Sequence, residues 1–168
     1  QNSIESEGTY QLPEAQIDRF MFKLMIGYPS AKEEIAIINR FCIEEMPKLN
    51  KIISKTELLG FQRLANKVYV DPSIVNNVAD LISATRSPVD YKLDDIAYFI
   101  NFGASPRASL NLTRAAKALA LIKGRDYVKD EDVTALVFDV LRHRVTLSYE
   151  GIMAKQTVES ILTTIINK

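Results

Sequence analysis

The sequence is poor in three features that would point to particular classes of protein. It holds one cysteine, Cys42, among 168 residues, which excludes an internal disulfide or a cysteine-based zinc site and fits a reducing, cytoplasmic environment. No apolar run approaches the ~18 residues that a membrane-spanning helix needs, so we expect no membrane insertion. Acidic and basic residues balance at 21 each, so no strong electrostatic field draws the chain to nucleic acid.

Two sequence motifs that hold nucleoside triphosphates are also missing. A P-loop needs Gly-x-x-x-x-Gly-Lys-Ser/Thr, and none of the six glycines starts such a run. A Walker B motif needs an apolar strand that ends in Asp-Glu, whereas Asp130-Glu131 follows Tyr127-Val128-Lys129 and is interpreted as the start of a helix. We therefore expect that this chain by itself neither binds nor hydrolyses a nucleoside triphosphate.

Most of the sequence has the spacing of helices. Helix starts recur, each marked by a capping residue, a first-turn proline or first-turn acids: Ser30 with Glu33, Ser54 with Glu57, Asp71 with Pro72, Ser105 with Pro106, and Asp130 to Asp132. Apolar residues follow each start at intervals of three and four. Pro47 and Pro88 are expected to end helices, and Gly124 to follow the end of another. The pattern predicts a mainly α fold, a small bundle of five or six helices.

A short strand is predicted at 21–26, closed by Gly27-Tyr28-Pro29. No partner strand is evident, and a lone strand is not stable in water. Because the chain begins with Gln rather than Met, we interpret it as a fragment whose missing upstream part supplies the rest of the sheet.

Residues 89–104 leave two alternatives open. Tyr98, Ile100 and Phe102 alternate as in a strand, whereas Leu93, Ile96 and Ile100 are spaced as in a helix.

Two segments carry a family resemblance. Residues 8–21 read Gly-Thr-Tyr-Gln-Leu-Pro-Glu-Ala-Gln-Ile-Asp-Arg-Phe-Met, after Gln1-Asn2-Ser3, and residues 103–108 read Gly-Ala-Ser-Pro-Arg-Ala. In this order they resemble AAA+ ATPases of the MoxR family, whose first segment reads roughly ATQNP-x-E-x-x-G-x-Y-x-LPEA-x-LDRF. Ser3 and Ile17 stand where that family usually has Pro and Leu, and neither departure touches a side chain with a predicted role.

Arg19 is the first candidate site residue. Without context it is a surface arginine paired with Asp18 or Glu14. An arginine fork is always charged and matches phosphate oxygens, so arginines supplied by a neighbouring subunit can neutralise a transferring γ-phosphoryl group. The resemblance implies that Arg19 is such an arginine finger, a catalytic residue that serves the neighbour's nucleotide.

Arg107 departs from a local rule. A cation in the first turn of a helix opposes the helix dipole, at a cost of about 0.3–1 kcal/mol at an exposed site. Either Arg107 extends into solvent, or an anion such as a phosphate lies between it and the helix start. The resemblance implies that Arg107 is the family's sensor 2 and binds nucleotide.

Asn2 has a role only through the resemblance. It falls at the family's sensor 1 position, where a neutral amide hydrogen-bonds the attacking water or the γ-phosphate. A catalytic and nucleotide-binding role is thereby implied for Asn2.

Three weaker features are interpreted as structural. Arg142-His143-Arg144 could touch nucleic acid, but in a chain of zero net charge it is interpreted as a solvated helix end, with His143 bearing neither a metal nor a catalytic role. Cys42, on an apolar helix stripe, is predicted to be a small core residue.

The resemblance implies the tail of an α/β nucleotide-binding core at 1–28 and a helical lid at 29–168. In the complete protein it implies ATP and Mg²⁺, a homo-oligomeric ring, often a hexamer, chaperone-like remodelling of other proteins, and partners with von Willebrand factor A domains. A nonenzymatic helical adaptor is the main alternative. A helical nucleic-acid-binding module is disfavoured by the zero net charge.

Overall fold

The computed structural model describes residues 12–43 and 48–168, and these confirm the mainly α prediction. The helices of this part are α1 (Glu14–Ile17), α2 (Ala31–Ile38), α3 (Lys55–Lys67), α4 (Pro72–Arg86), α5 (Asp94–Ala97), α6 (Pro106–Ile122), α7 (Asp130–Thr134), α8 (Val137–Leu141), α9 (Tyr149–Met153) and α10 (Val158–Ile166). A π-helical turn, Asn39–Ile43, extends α2, and a 3₁₀ turn, Pro88–Tyr91, follows α4. The strands are β1 (Ile100–Phe102) and β2 (Thr146–Leu147).

The predicted helix starts are present. In each of the two capping boxes the serine hydroxyl accepts from the backbone three residues on, and the glutamate accepts from the serine backbone. The Ser54 N–H to Glu57 Oε2 distance is 2.7 Å and the reciprocal bond to Ser54 Oγ is 3.2 Å. Asp71 caps α4 by accepting from the backbone of Ser73, with Pro72 in the first position. Local signals over three residues therefore fix these boundaries.

The end of α6 is a Schellman motif at the predicted glycine. Gly124 has φ +74°, its N–H donates to Leu121 O, and the N–H of Arg125 donates to Ala120 O. A left-handed residue is needed at this position, and glycine adopts it without a Cβ penalty.

The main core lies where α4, α6, α8 and α10 meet. Its fully buried side chains include Ile82 from α4, Leu112 from α6, Leu141 from α8 and Leu162 from α10. A smaller cluster beside it joins Leu93 and Ile96 to Ile161 and Ile165. These helices form the bundle against which residues 18–23 pack.

Both alternatives for residues 89–104 are realised in succession. Ile96 lies in α5, and Ile100 begins β1, which pairs antiparallel with β2. The chain then passes so close to α4 that a Cβ on Gly103 would lie 2.3 Å from the carbonyl oxygen of Thr85. The buried Thr85 hydroxyl accepts from the N–H of Ala104 at 2.9 Å. This contact fixes the entry into α6.

Three sequence-based predictions about helices, strands and burial are wrong in the described residues, and a fourth falls outside them. Residues 22–26 form no strand, because no described segment forms a ladder with them. The helix predicted after Asp130 is divided into α7 and α8 by a turn at Ala135 and Leu136. The apolar stripe of α2 is exposed rather than buried, and Cys42 beside it is exposed as well. Pro47, the predicted helix end, lies outside the described residues.

Candidate functional site

The predicted site residues fall in three different situations. Asn2 lies outside the described residues. Arg19 is exposed in the turn after α1, and within the described part of the chain its side chain takes part in none of the ion pairs or hydrogen bonds. Arg107 is the second residue of α6 and its side chain is 54% exposed. Asp18 links the turn that carries Arg19 to the helix that carries Arg107.

Asp18 is the centre of a cluster that we call the Asp18 clasp, formed with Ser105, Arg107 and Arg144. Its Oδ2 accepts from Arg107 Nη1 at 3.0 Å, and its Oδ1 accepts from Arg144 Nε at 3.0 Å. The Ser105 hydroxyl lies 3.1 Å and 3.0 Å from the two carboxylate oxygens. One carboxylate thus joins the turn that carries Arg19 to the start of α6.

Asp18 also explains how the cation Arg107 is accommodated in the first turn of α6. A carboxylate at the start of a long helix complements its dipole, and here it lies between that start and the cation that opposes the dipole. The anion in this structure is therefore a side chain of the chain itself. Ser105 occupies the N-cap position as predicted, but its side chain caps no backbone N–H. Its hydroxyl donates to Asp18 instead, because the charged acceptor makes the stronger bond.

Arg144 is the buried part of the clasp. All five of its N–H donors have acceptors: Asp18 Oδ1, Asp18 O (2.9 Å), Phe20 O (2.5 Å), Met21 O (3.3 Å) and Val140 O. Its side chain is 0% exposed. A buried charge is tolerated only when it is paired and fully hydrogen-bonded, and this one meets both conditions.

The neighbours of Arg144 hold the same segment. Arg142 donates through Nη1 to Lys23 O at 2.9 Å, and His143 Nε2 lies 3.0 Å from Phe20 O. Arg142 also pairs with Glu159 at 2.5 Å. The interpretation of Arg142-His143-Arg144 as a solvated helix end is therefore wrong, because these side chains pack against residues 18–23.

Charge and burial set the protonation states of the clasp. Burial alone would raise the pKa of Asp18, but hydrogen bonds from Arg107, Ser105 and Arg144 outweigh it and hold that pKa below its ordinary value. Burial lowers the pKa of Arg144, and the Asp18 carboxylate opposes the change. Burial also lowers the pKa of His143 against the opposing bond to Phe20 O. A neutral His143 then donates its Nε2–H, and its buried Nδ1 has no partner among the described residues.

The arrangement suits anion recognition at a surface. Arg107 keeps an exposed edge while Nη1 is held by Asp18, and Arg19 lies next to Asp18 in the chain. A guanidinium fork matches the oxygens of a phosphate. From the sequence alone, Asp18 is only a possible partner of Arg19, and Arg144 has no predicted role. The local feature that points to Arg144 is the Arg-His-Arg run directly after an apolar helix.

The chain matches known proteins along its whole length. Residues 95–165 match the family model described as AAA lid domain. This part of the chain is therefore an AAA lid, the helical domain of AAA+ proteins.

The relatives narrow the class further. The chain is 43% identical over 166 residues to Chaperone MoxR1 of Mycobacterium tuberculosis. The aligned region covers 99% of this chain and 44% of that protein. It is 33% identical to Protein MoxR of Paracoccus denitrificans, over 88% of this chain and 47% of the relative. A crystal structure from Cytophaga hutchinsonii, provisionally assigned as an ATPase, superposes with a TM-score of 0.95 at 40% identity and covers 100% of this chain and 51% of its own.

The chain belongs to the MoxR family of AAA+ ATPases, as its two sequence segments predicted. It spans about half the length of the relatives that it matches. Within the described residues, no helix is both long and apolar enough to cross a membrane.

Proposed function

We propose that this chain supplies the arginine finger and the nucleotide sensors of a MoxR-type ATPase that couples ATP hydrolysis to chaperone-like remodelling of other proteins. The observation that carries the proposal is the clasp, in which Asp18 binds Arg107 while the adjacent Arg19 stays exposed. The turn that carries one exposed arginine is thereby bonded to the helix start that carries the other. In this proposal residues 1–28 end the nucleotide-binding core and residues 29–168 form the lid.

Each arginine has a distinct role in the proposal. Arg19 reaches the γ-phosphoryl group on a neighbouring subunit, where its fixed charge stabilises the transition state. Arg107 contacts the nucleotide from the lid through its exposed edge, so that hydrolysis changes how the lid packs against the core. Asn2 supplies the sensor 1 amide that orients the attacking water.

The nucleotide and its metal are held elsewhere in the proposal. The sequence contains neither a P-loop nor a Walker B motif. Between 12 and 43 and from 48 onward, no group of three His, Cys, Asp or Glu side chains could hold a metal ion. In the proposal, ATP and Mg²⁺ bind to a nucleotide-binding core of the complete gene product. That protein forms a cytoplasmic homo-oligomeric ring, taken to be a hexamer, and works with partners that carry von Willebrand factor A domains.

Subunit mixing tests the proposal. In the complete gene product, Arg19→Ala lowers ATP turnover by a factor on the order of 10³–10⁵ if Arg19 is a finger that limits the rate. Mixing Arg19→Ala subunits with subunits whose P-loop lysine is replaced restores part of the turnover, because an intact finger meets an intact nucleotide site at some interfaces. The Arg114→Ala variant, on α6 but outside the clasp, is the matched control. Turnover that persists in Arg19→Ala, or mixed rings that show no recovery, contradicts the proposal.

A nonenzymatic adaptor remains the second candidate because α2 and α3 present apolar side chains. Ile35, Ile38, Leu58, Phe61 and Leu64 are each about half exposed. Such surfaces mark contacts with other proteins. An adaptor requires no turnover, so a complete gene product that retains partner binding after Arg19→Ala and hydrolyses no ATP in either form favours this second function.

A further inference from the structure

A buried arginine lies behind the exposed Arg19. Four of the five acceptors of Arg144 belong to residues 18–21, and only one, Val140 O, belongs to its own part of the bundle. The carbonyls of Asp18 and Phe20 stand on either side of Arg19 in the chain, so Arg144 holds the backbone on both sides of it.

This hydrogen bonding restricts geometry more than a simple ion pair would. A guanidinium is planar, and its five donors have fixed directions, so simultaneous bonds to five acceptors leave the turn little freedom. Asp18 transmits the same restraint to Arg107, since its second oxygen holds Nη1 of that side chain. Arg144 itself is buried and cannot reach a nucleotide.

We infer that Arg144 is a positioning residue for Arg19, and that it acts by fixing the turn 18–21 against the bundle. The inference rests on the proposed function, because the position of Arg19 matters to turnover only if Arg19 meets a phosphoryl group. Misplacing a catalytic group by about 1 Å can cost a hundredfold in rate, which makes such a residue consequential.

The chain offers a conservative change and a matched control. Arg144→Lys keeps the charge but has three donors on a flexible stem, so it cannot satisfy five acceptors at once. Arg142→Lys makes the same chemical change two residues away. Arg142 holds Lys23 O rather than the carbonyls beside Arg19, and its carboxylate partners are the surface residues Asp139 and Glu159.

The first experiment measures the turn directly, on the 168-residue chain. The amides of Arg19 and Phe20 donate to Gln16 O and Ile17 O, so their hydrogen exchange reports whether the turn is held. Arg144→Lys is expected to speed their exchange by about tenfold or more relative to wild type, since one hydrogen bond to a charged group already contributes that much. Core amides of α6 keep their rates, and Arg142→Lys leaves the turn unchanged. Unchanged exchange of the turn in Arg144→Lys overturns the inference, whatever the enzyme does.

The second experiment is a kinetic double-mutant cycle in the complete gene product. Arg144→Lys is expected to lower kcat by about 10–100-fold with little change in the KM for ATP, because the loss is confined to the transition state. In an Arg19→Ala background the same change has no further effect, since the group to be positioned is gone. Equal falls in both backgrounds overturn the inference.

Two outcomes separate this inference from the proposed function. If Arg19→Ala alone leaves kcat unchanged, the finger assignment fails. If Arg19→Ala removes turnover and Arg144→Lys does not lower it, only the positioning role fails. Should Arg144→Lys not fold, Asp18→Asn replaces it in the cycle, because it removes the charge that Arg144 and Arg107 share.

Discussion

Two carboxylates in this chain are each held by two cations, and they differ in what they connect. Asp132 is fully buried and pairs with Arg125 and Lys123, seven and nine residues away, and it also accepts from the backbone of Lys129. Asp18 is 18% exposed and pairs with Arg107 and Arg144, 89 and 126 residues away. The local cluster fixes the start of α7, whereas the distant one attaches a segment that carries a predicted catalytic residue. Similar chemistry therefore stabilises a helix start in one place and, in our proposal, positions Arg19 in the other.

The largest effect on stability is expected at the local cluster. Asp132→Ala removes one partner of a buried ion pair. It is expected to lower the free energy of unfolding by about 3 kcal/mol, the lower end of the range for buried pairs, because Lys123 keeps access to water. Urea denaturation of the 168-residue chain measures it. Asp18→Ala is expected to change global unfolding by less than half as much, since it frees a segment rather than a core helix. Equal losses would remove the distinction between the clusters.

The next effect concerns attachment of the N-terminal segment. Asp18→Asn weakens charge-assisted hydrogen bonds that contribute about 1.5–3 kcal/mol each, so local opening becomes about tenfold more frequent. Trypsin cleavage at Arg19 and Lys23 should accelerate accordingly under native conditions. Asp132→Asn, under the same native conditions, should leave cleavage at these two sites unchanged.

Acid separates the clusters by their titration. Both carboxyl pKa values lie below the ordinary aspartate value, the Asp132 value much further, because Arg125, the Lys129 backbone and Lys123 all bond to its charged form. Each group therefore contributes stability that is present above the unfolded pKa and is lost as the pH falls toward the folded one. Amide signals of 18–23 should lose their structured shifts at a higher pH than those of α7. Loss in the reverse order would contradict the assignment of the weaker attachment to Asp18.

The smallest effect is expected at the surface pair of Arg142. Glu159 is about half exposed, so Glu159→Gln should cost less than about 1 kcal/mol in unfolding free energy, and high salt should reduce the difference further. Thermal melts at low and high ionic strength provide the measurement. A larger loss would mean that Arg142 contributes to the attachment as much as Arg144 does.

The sequence predicted features that depend on neighbours in the chain. The capping boxes, the proline at the start of α4 and the glycine after α6 each act over a few residues, and all are present. The family resemblance supplied Arg19 and Arg107 as candidate residues.

The features that the sequence did not predict depend on distant contacts. Nothing local in Arg142-His143-Arg144 indicates that its partners are the carbonyls of 18–23. The exposed stripe of α2 has the same spacing as a buried one, and periodicity alone cannot say which face a neighbour covers. Proximity in the sequence favours an ion pair between Asp18 and the adjacent Arg19, whereas in the fold Asp18 pairs with Arg107 and Arg144.

Turnover per folded subunit in the complete gene product tests the central claim most directly. Asp18→Asn and Asp132→Asn are compared at the same temperature and ATP concentration. Asp18→Asn should lower kcat by about tenfold or more at a nearly unchanged melting temperature, because it disturbs the group that places Arg19 and Arg107. Asp132→Asn should lower the melting temperature and leave kcat of the folded protein within about twofold of wild type. Parallel losses of stability and turnover in both variants, or full turnover in Asp18→Asn, would contradict the claim that the Asp18 clasp serves catalysis.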